Sequence, residues 1–366
     1  MRNAFVCCTP YHVIVSIHLI QSIYSGENNE IFISNHFENS FDIYKNLKKQ
    51  KLFKAVYYVT DRHLSYDDSF LKWRKIYGLF SRTYQSIISD PVDFNYDNVF
   101  LFTYSYFSVL ITDLVKKNNK FSEINMVEEG TLTYMLGNYD IVDNIRFYAD
   151  FIGKTVLNRR FLNPNILNAI YLFQPNLYNG ELSHKLKKIP SLKISINIQK
   201  LLNHIFNFEE QGNFVSSKYL FFDQSFSIDG NRLISEFEVV KSISDILPRD
   251  EILIKLHPRD SKDKYKSFNI NVNSSNFPWE LIYYNYFKDI KNKVLISVSS
   301  SSVFTPKILF NCEHDIILLY KIFGKTDRRF VKFVNKFKTI YKKKNVYEPE
   351  TLNEFQQIVK NLRNSL

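Results

Sequence analysis

Residues 4 to 26 read AFVCCTPYHVIVSIHLIQSIYSG, and the change of pattern inside this stretch predicts a strand followed by a helix. Residues 4–8 form an apolar run of strand length. Thr9 and Pro10 are then residue types that helices favour at the N-cap and at the first helical position. The apolar residues continue to Gly26, a common residue at the end of a helix. We therefore predict a strand over 4–8 and a helix over 9–26.

Similar apolar runs recur along the chain and are continuous rather than alternating, which indicates strands covered on both faces of a parallel sheet. In the first half they are 30–35, 54–60, 98–104 and 123–129, and in the second half 218–224, 251–257, 293–299 and 315–321. Helices are predicted near 232–246, 279–290 and 303–310, and a helical and polar region over about 155–215 separates the two sets.

The length predicts two domains, because 366 residues exceed the size at which one hydrophobic core stops growing. The alternation of strands and helices predicts an α/β fold of two doubly wound, Rossmann-like domains, over 1–200 and 215–366. Domains of this kind bind ligands at the carboxyl ends of their strands.

Several motifs are absent from the sequence. Its nine glycines include no G-x-G, so it has neither a dinucleotide fingerprint nor a P-loop. The lack of a D-x-D triplet weakens any metal-dependent sugar-nucleotide transferase, and the lack of G-x-S-x-G disfavours a serine hydrolase. We therefore predict no metal ion and no cofactor.

Three cysteines, Cys7, Cys8 and Cys312, cannot form a disulfide framework, which favours a reduced, cytoplasmic setting. No stretch reaches the roughly 18 consecutive apolar residues of a membrane span. The N-terminus shows no signal-peptide cleavage site. The sequence predicts a soluble or peripheral protein.

Basic residues exceed acidic residues by 48 to 37, a net charge of +11 that favours polyanionic partners. Residues 325–345, KTDRRFVKFVNKFKTIYKKKN, concentrate this excess in a segment with apolar residues at near-helical spacing. Two interpretations remain open: a solvated basic helix, and contact with a membrane surface or an anionic glycolipid.

Three polar motifs follow apolar runs. Glu128-Glu129-Gly130 comes after 123–127. Adjacent carboxylates at a strand end point to opposite sides, so one can enter a cleft as a general base while the other makes structural hydrogen bonds. A charged turn after a strand is the simpler alternative.

His257-Pro258 ends the run 251–257, which places an imidazole where it could act as an acid; a buried histidine beside a turn proline is the alternative. Ser299 to Ser302 precede a predicted helix. Their hydroxyls, with free backbone N–H groups, could bind an anion, or they could simply cap the helix. Pro278-Trp279-Glu280 is a weaker signal, in which Glu280 could accept hydrogen bonds from a ribose.

Taken together, these motifs resemble bacterial sialyltransferases, most closely glycosyltransferase family 52, the lipooligosaccharide sialyltransferases. The resemblance lies in FVCCTPYHVIVSIHLI, VEEG, LHPRD, PWE and the serine run before TPKILF, from residue 4 to about 310. It implies a GT-B type fold of two facing Rossmann-like domains. The N-terminal domain would hold the acceptor and the general base, and the C-terminal domain, with its basic helices, the CMP-sugar donor.

The resemblance also implies residue roles. Glu129 would deprotonate the acceptor hydroxyl, with Glu128 as the alternate. His257, beside Pro258, would protonate or hydrogen-bond the departing CMP phosphate. The family often has an aspartate at the second acidic position, where this chain has Glu129. Asp223 and Asp229 lie close to the histidine segment in the sequence, and either could be the base instead. The remaining donor-site residues would bind the phosphate, bind the ribose or line the cleft: Ser300, Ser301, Ser302, Glu280, Thr9 and Tyr11.

The implied activity is inverting, metal-independent transfer of N-acetylneuraminic acid from CMP-N-acetylneuraminate to a terminal galactoside of lipooligosaccharide or capsule. The implied setting is a cytoplasmic homodimer with peripheral contact at the inner membrane. A hexosyltransferase of the same family that uses a UDP-sugar is the nearer alternative. A basic binding protein without catalysis is the other, but it leaves the strand-end motifs unexplained, so we expect an enzyme and no nucleic-acid partner.

Overall fold

The computed structural model describes most of the chain: residues 1–62, 83–103, 105–135, 166–180, 182–210, 213–226, 234–257, 260–261, 263–324, 328–342 and 345–364. The chain divides into two compact units. Unit 1 comprises Met1–Leu192 and Lys200–Phe208, and unit 2 comprises Lys193–Gln199 and Glu209–Leu366.

Unit 1 contains a seven-stranded sheet in the order β3-β2-β1-β4-β5-β6-β7, and every pairing is parallel. Its strands are β1 (Arg2–Cys7), β2 (Asn28–Ser34), β3 (Ala55–Val59), β4 (Asn98–Leu101), β5 (Glu123–Val127), β6 (Leu167–Leu172) and β7 (Leu186–Lys188). Its α-helices among the described residues are α1 (Pro10–Ser22), α2 (Ser40–Gln50) and α3 (Tyr106–Asn118), and short 3-10 helices lie at Thr83–Ser86, Pro175–Leu177 and Ser183–Lys185. Helix α4 (Ile196–Phe206) begins in unit 2 and belongs to unit 1 from Lys200 onward.

Unit 2 contains a six-stranded parallel sheet in the order β10-β9-β8-β11-β12-β13. Its strands are β8 (Tyr219–Phe222), β9 (Ile252–Lys255), β10 (Asn271–Asn273), β11 (Val294–Ser297), β12 (Ile316–Leu318) and β13 (Val346–Tyr347). Its α-helices are α5 (Asn213–Ser216), α6 (Glu236–Ile246), α7 (Trp279–Asn285), α8 (Phe287–Ile290), α9 (Thr305–Phe310), α10 (Tyr320–Phe323), α11 (Arg328–Tyr341) and α12 (Leu352–Asn364), with 3-10 helices at Arg249–Glu251, Lys266–Phe268 and Ser301–Phe304.

The central strands are buried on both faces, as their continuous apolar sequences predict. All residues of β4, β8, β9 and β11 are buried. Helices from the intervening segments cover the sheets, and both units are parallel α/β structures. The predicted α/β class is therefore confirmed.

Four strands were missed by the sequence analysis. β6 and β7 fall inside the segment that was predicted to be helical and polar, and β10 and β13 are only three and two residues long. Asn168 interrupts the apolar run of β6, and its side-chain oxygen accepts a hydrogen bond from Ile124 N at 3.0 Å, beside a register shift between β5 and β6. Pairing with a neighbouring strand, rather than local sequence, determines these elements.

The first helix is shorter than predicted. Thr9 is its N-cap and accepts a hydrogen bond from His12 N, but the helix ends at Ser22 rather than near Gly26. Tyr24 N bonds Leu19 O at the end of the helix, and Gly26 follows with a φ of 79° in the turn that leads into β2.

The basic segment near the C-terminus forms helix α11, whose apolar side is buried within unit 2. Phe333 and Phe337 pack edge-on against Phe304, with ring centroids 5.2 and 4.9 Å away. This helix therefore uses its apolar face for packing, while Arg328, Arg329 and Lys332 remain exposed. Within the described part of the chain, no helix is both long and apolar enough to span a membrane.

The sheet orders determine which strand ends are neighbours. In unit 1 the carboxyl ends of β1, β4 and β5 lie side by side, and in unit 2 those of β9, β8 and β11 do. The strand-end motifs of the sequence follow these strands, so each sheet has a polar carboxyl edge.

Candidate active site

A hydrogen bond connects the segment after β1 with the acidic pair after β5. The Tyr11 hydroxyl donates to Glu128 Oε1 at 2.9 Å. Cys8 N donates to the ring nitrogen Nδ1 of His12 at 3.1 Å, and Thr9 caps the helix as described above. Thr9 and Tyr11, which were predicted to line a cleft, are each partly buried and lie just beyond the carboxyl end of β1.

Glu128 is fully buried and held by three hydrogen-bond donors. Besides Tyr11, the Tyr134 hydroxyl donates to its Oε2, and Phe173 N donates to the same oxygen at 2.8 Å. Burial raises the pKa of Glu128 to about 7, and the three donors oppose that rise. Both carboxylate oxygens are engaged inside the protein, which suits a structural role.

Glu129 occupies a different environment. About a third of its side chain is exposed (33%), and its Oε1 lies 4.0 Å from Nε2 of His12. Its backbone N–H donates to Thr133 Oγ1 at 2.9 Å, and Gly130 follows with a φ of 93°, a left-handed conformation that leads into helical residues 131–135. Burial raises the pKa of Glu129 to about 7, and a hydrogen bond with Thr103 opposes that rise. A partly exposed carboxyl with this pKa is well matched to general-base catalysis near neutral pH.

In unit 2, His257 stands just beyond the end of β9 and is partly buried. Its carbonyl accepts a hydrogen bond from Asp260 N at 2.9 Å. Pro258 and Asp229 lie outside the described residues.

Asp223, the alternate base at the end of β8, belongs to a buried ion-pair cluster. The ammonium of Lys264 lies 2.9 Å from Asp223, 2.9 Å from Glu236 and 3.0 Å from Asp260. Tyr265 OH donates to the second Asp223 oxygen at 3.0 Å. Burial raises the pKa of Asp223 to about 6, against the effect of Lys264. Because both oxygens are bound by protein groups, Asp223 suits a structural role better than that of a base.

The serine turn after β11 is fixed by Gln224 at the end of the neighbouring strand β8. Gln224 Oε1 accepts from Ser299 N at 2.7 Å and from Ser297 Oγ at 3.3 Å. Ser300 N donates to Ser297 Oγ at 3.1 Å, and Ser302 N donates to Ser300 Oγ at 3.3 Å. The expectation of free backbone N–H groups is therefore wrong for Ser299, Ser300 and Ser302. The Ser300 hydroxyl also donates to Ser302 Oγ at 3.2 Å, so an anion bound here would replace hydrogen bonds that the turn makes within itself.

Glu280 lies in the first turn of α7, and burial raises its pKa to about 7. Lys255, at the end of β9, opposes this rise electrostatically; burial lowers its own pKa to about 8. Lys255 Nζ also donates to Ser275 O at 2.7 Å. Trp279 is 6% exposed and packs edge-on against Phe222, so it is a core residue. Lys255 is thus the cation that acts electrostatically on Glu280 near the carboxyl ends of the unit 2 strands.

Metal ligands are not grouped in the described parts of either unit: no three His, Cys, Asp or Glu side chains there are arranged to hold an ion.

A family comparison then assigns the chain. The family model described as alpha-2,8-polysialyltransferase (POLYST) matches residues 3–319. The chain belongs to this family. The match includes both strand-end motif sets, and it confirms the resemblance to bacterial sialyltransferases and the assignment as a glycosyltransferase.

Solved structures support the fold of this polysialyltransferase-family chain. An alpha/beta-galactoside alpha-2,3-sialyltransferase from the luminous marine bacterium Photobacterium phosphoreum is 12% identical with a TM-score of 0.51, over 95% of this chain and 98% of that one. UGT89C1 of Arabidopsis thaliana, complexed with UDP, is 7% identical with a TM-score of 0.51, over 98% of this chain and 89% of that one. At these identities the likeness concerns the fold alone, which is of the GT-B class. No curated protein sequence matches the chain significantly.

Three residues at these sheet edges were missed by the sequence analysis: His12, Gln224 and Lys255. Each lies within a quoted motif, at or just after a strand end, in VCCTPYH, KYLFFDQ and EILIKLH. Their positions could have marked them as candidates. Their partners could not be inferred, because those partners are distant in the sequence.

Proposed function

We propose that this member of the polysialyltransferase family is an inverting, metal-independent sialyltransferase that uses CMP-N-acetylneuraminate as donor. The observation that supports this best is the contrast between the two adjacent carboxylates after β5. Glu128 is buried with three donors, whereas Glu129 is partly exposed with a pKa of about 7. One of the two is therefore equipped to accept a proton from a sugar hydroxyl.

In the proposed reaction Glu129 removes the proton from the acceptor hydroxyl as this oxygen attacks the anomeric carbon of the sialyl group. Attack from the face opposite CMP inverts the configuration. Glu129 is preferred over Glu128 and Asp223 because protein donors already occupy both oxygens of each alternate.

Departure of CMP places negative charge on its phosphate, which needs hydrogen-bond donors. We assign His257 as a hydrogen-bond donor to this phosphate. The hydroxyls of Ser300, Ser301 and Ser302 would also bind the phosphate, in the turn that Gln224 holds in place. Glu280 is assigned to the ribose hydroxyls, since its carboxylate lies at the start of α7 and is balanced by Lys255.

Two acceptors are candidates. A terminal galactoside of lipooligosaccharide or capsule is the first, and the Photobacterium enzyme is likewise named a galactoside sialyltransferase. The family description, alpha-2,8-polysialyltransferase, favours a glycan that already ends in sialic acid. Both reactions would use the same base and the same donor.

The setting we propose is a cytoplasmic homodimer that touches the inner membrane through the exposed basic side of α11. Arg328, Arg329 and Lys332 supply that charge. Sedimentation with phosphatidylglycerol vesicles at low and high salt tests the contact. Binding that is equal with neutral phosphatidylcholine vesicles would contradict it.

The activity is tested with a donor panel and an acceptor panel. Purified protein is incubated with CMP-N-acetylneuraminate or UDP-hexoses, and with lactose or sialyllactose, in excess EDTA; products are identified by mass spectrometry. We expect a sialylated product with CMP-N-acetylneuraminate and no transfer product with any of the UDP-hexoses. Product from a UDP-hexose alone would identify a hexosyltransferase and contradict the proposal, and the better acceptor distinguishes the two glycan classes.

A further inference from the structure

His12 is a buried histidine whose tautomer is determined by its surroundings. Its side chain is fully buried, and Nδ1 accepts a hydrogen bond from Cys8 N at 3.1 Å. An imidazole nitrogen that accepts from a backbone N–H carries no proton of its own in the neutral ring. The single ring proton is therefore on Nε2.

The Nε2–H group lies near the proposed base. Among the described residues no acceptor lies within hydrogen-bond distance of Nε2, and the Oε1 atom of Glu129 is 4.0 Å away. A buried donor without an acceptor is unfavourable. A movement of about 1 Å by the partly exposed Glu129 side chain would give a normal N–H···O distance.

The ring of His12 is held in place by its neighbours. It stacks on Phe102, with centroids 4.5 Å apart and an interplanar angle of 10°, and it meets the Tyr11 ring edge-on at 6.3 Å. Together with the Nδ1 hydrogen bond, these contacts fix the direction of the Nε2–H bond, so Glu129 is the partner that must move.

We propose that His12 is a positioning residue for Glu129: its Nε2–H donates to Oε1 and holds the carboxylate ionised and oriented toward the acceptor hydroxyl. This inference rests on the proposed function only in the role given to Glu129. His12 does not relay protons, because Nδ1 is bound to the backbone and Nε2 only donates.

The charge state of the neighbourhood agrees with this role. Burial lowers the pKa of His12 to about 3, so the ring is neutral at working pH. Burial raises the pKa of the Cys8 thiol well above its ordinary value, and the negative charges of Asp61 and Glu129 add to this rise. Thr103 is the other donor to Glu129, and Glu128 has its own three donors. None of these groups adds a positive charge that would obscure the effect of His12.

Two substitutions of His12 distinguish the roles of its two ring nitrogens. His12→Asn keeps an acceptor in place of Nδ1 but loses the Nε2 donor, and His12→Gln keeps a donor in place of Nε2. For His12→Asn we expect the acid limb of kcat/KM for sialyl transfer to move up by about one pH unit, since a donor to a charged group is lost. For His12→Gln we expect a midpoint close to that of the wild type.

His18→Asn is the matched control. His18 lies on the same helix, is buried, stacks on Phe173 and bonds Pro190 O. The His18→Asn variant should be less stable than the wild type, but the midpoint of the acid limb of its kcat/KM profile should not change. A folded His12→Asn variant with the wild-type midpoint would overturn the proposal, even if its kcat were lower.

A second measurement needs neither activity nor a His12 variant. In ¹⁵N-histidine-labelled wild-type protein, the Nε2–H resonance of His12 should shift with pH as the Glu129 carboxyl ionises, although the ring itself stays neutral. This titration should vanish in Glu129→Gln. A resonance that does not move between pH 5 and 9 would overturn the role of His12, whether or not the protein proves to be a sialyltransferase.

Discussion

Exchange of Glu129 for glutamine should remove most of the transferase activity, whereas the same exchange at Glu128 should not. Loss of a general base lowers the rate by about 10²- to 10⁴-fold. Glutamine can replace Glu128 because its oxygen can accept from Phe173 N and Tyr134, while its amide donates to a rotated Tyr11 hydroxyl. We expect kcat/KM of Glu128→Gln to stay within about threefold of the wild type, since every polar atom can remain paired.

The pH dependence gives a second magnitude. A base with a pKa of about 7, raised by burial from 4.5, is half ionised at pH 7 and about 1% ionised at pH 5. The wild-type kcat/KM should therefore fall about fifty-fold over this range, because only the ionised form accepts the proton. An unshifted carboxyl with a pKa of 4.5 would lower the rate by less than twofold.

The assay follows product formation under subsaturating donor from pH 5 to 8, with spontaneous donor breakdown subtracted from enzyme-free reactions at each pH. Circular dichroism at each pH confirms that the fold is intact. A profile that is flat down to pH 5.5, or a Glu128→Gln variant as impaired as Glu129→Gln, would refute the assignment of the base.

Three further predictions concern unit 2. Lys264→Met should lower the free energy of unfolding by about 3–5 kcal/mol, since it leaves three buried carboxylates without their cation. Urea unfolding should show a smaller loss of stability at pH 5 than at pH 8. An unchanged urea midpoint at pH 8 would contradict the stabilising role of this ion-pair cluster. Gln224→Ala should raise the donor KM by about tenfold with a smaller change in kcat, because the hydrogen bonds that hold Ser299 are lost. An unchanged donor KM in steady-state kinetics would contradict the role of Gln224 in holding the serine turn. Phe333→Ala should cost about 3–5 kcal/mol of stability, as expected for a fully buried aromatic ring. Lys332→Ala, at an exposed position of the same helix, should cost less than about 0.5 kcal/mol. Equal losses of stability in thermal unfolding would contradict the burial of the apolar face of α11.

The central strands could be predicted from sequence because each contains a continuous apolar run, as in residues 252–254, and because Thr9 and Pro10 mark the start of the first helix. The internal strand β6 and the short edge strands β7, β10 and β13 could not, although the edge strand β3 could. β7 has the sequence LKK, which has no strand signal of its own and becomes a strand by pairing with β6. Local sequence thus predicts the elements whose burial is complete, and pairing determines the rest.

The candidate site shows the same division. Its motifs were found because polar residues follow apolar runs, but the sequence could not tell which of Glu128 and Glu129 is exposed. That difference depends on Tyr11, Tyr134 and Phe173, which reach Glu128 from other segments. The tautomer of His12 likewise depends on a folded turn, because Cys8 N bonds its ring only when β1 and α1 meet at Thr9.

The central claim is that this chain transfers sialic acid from CMP-N-acetylneuraminate with His257 assisting the departure of CMP and without a metal ion. The most direct test is release of CMP from CMP-N-acetylneuraminate in excess EDTA, with and without acceptor, by the wild type and by His257→Ala. We predict release that rises with acceptor in the wild type and falls by about 10²-fold or more in the variant. Equal release by both proteins, or release that EDTA abolishes, would contradict the account.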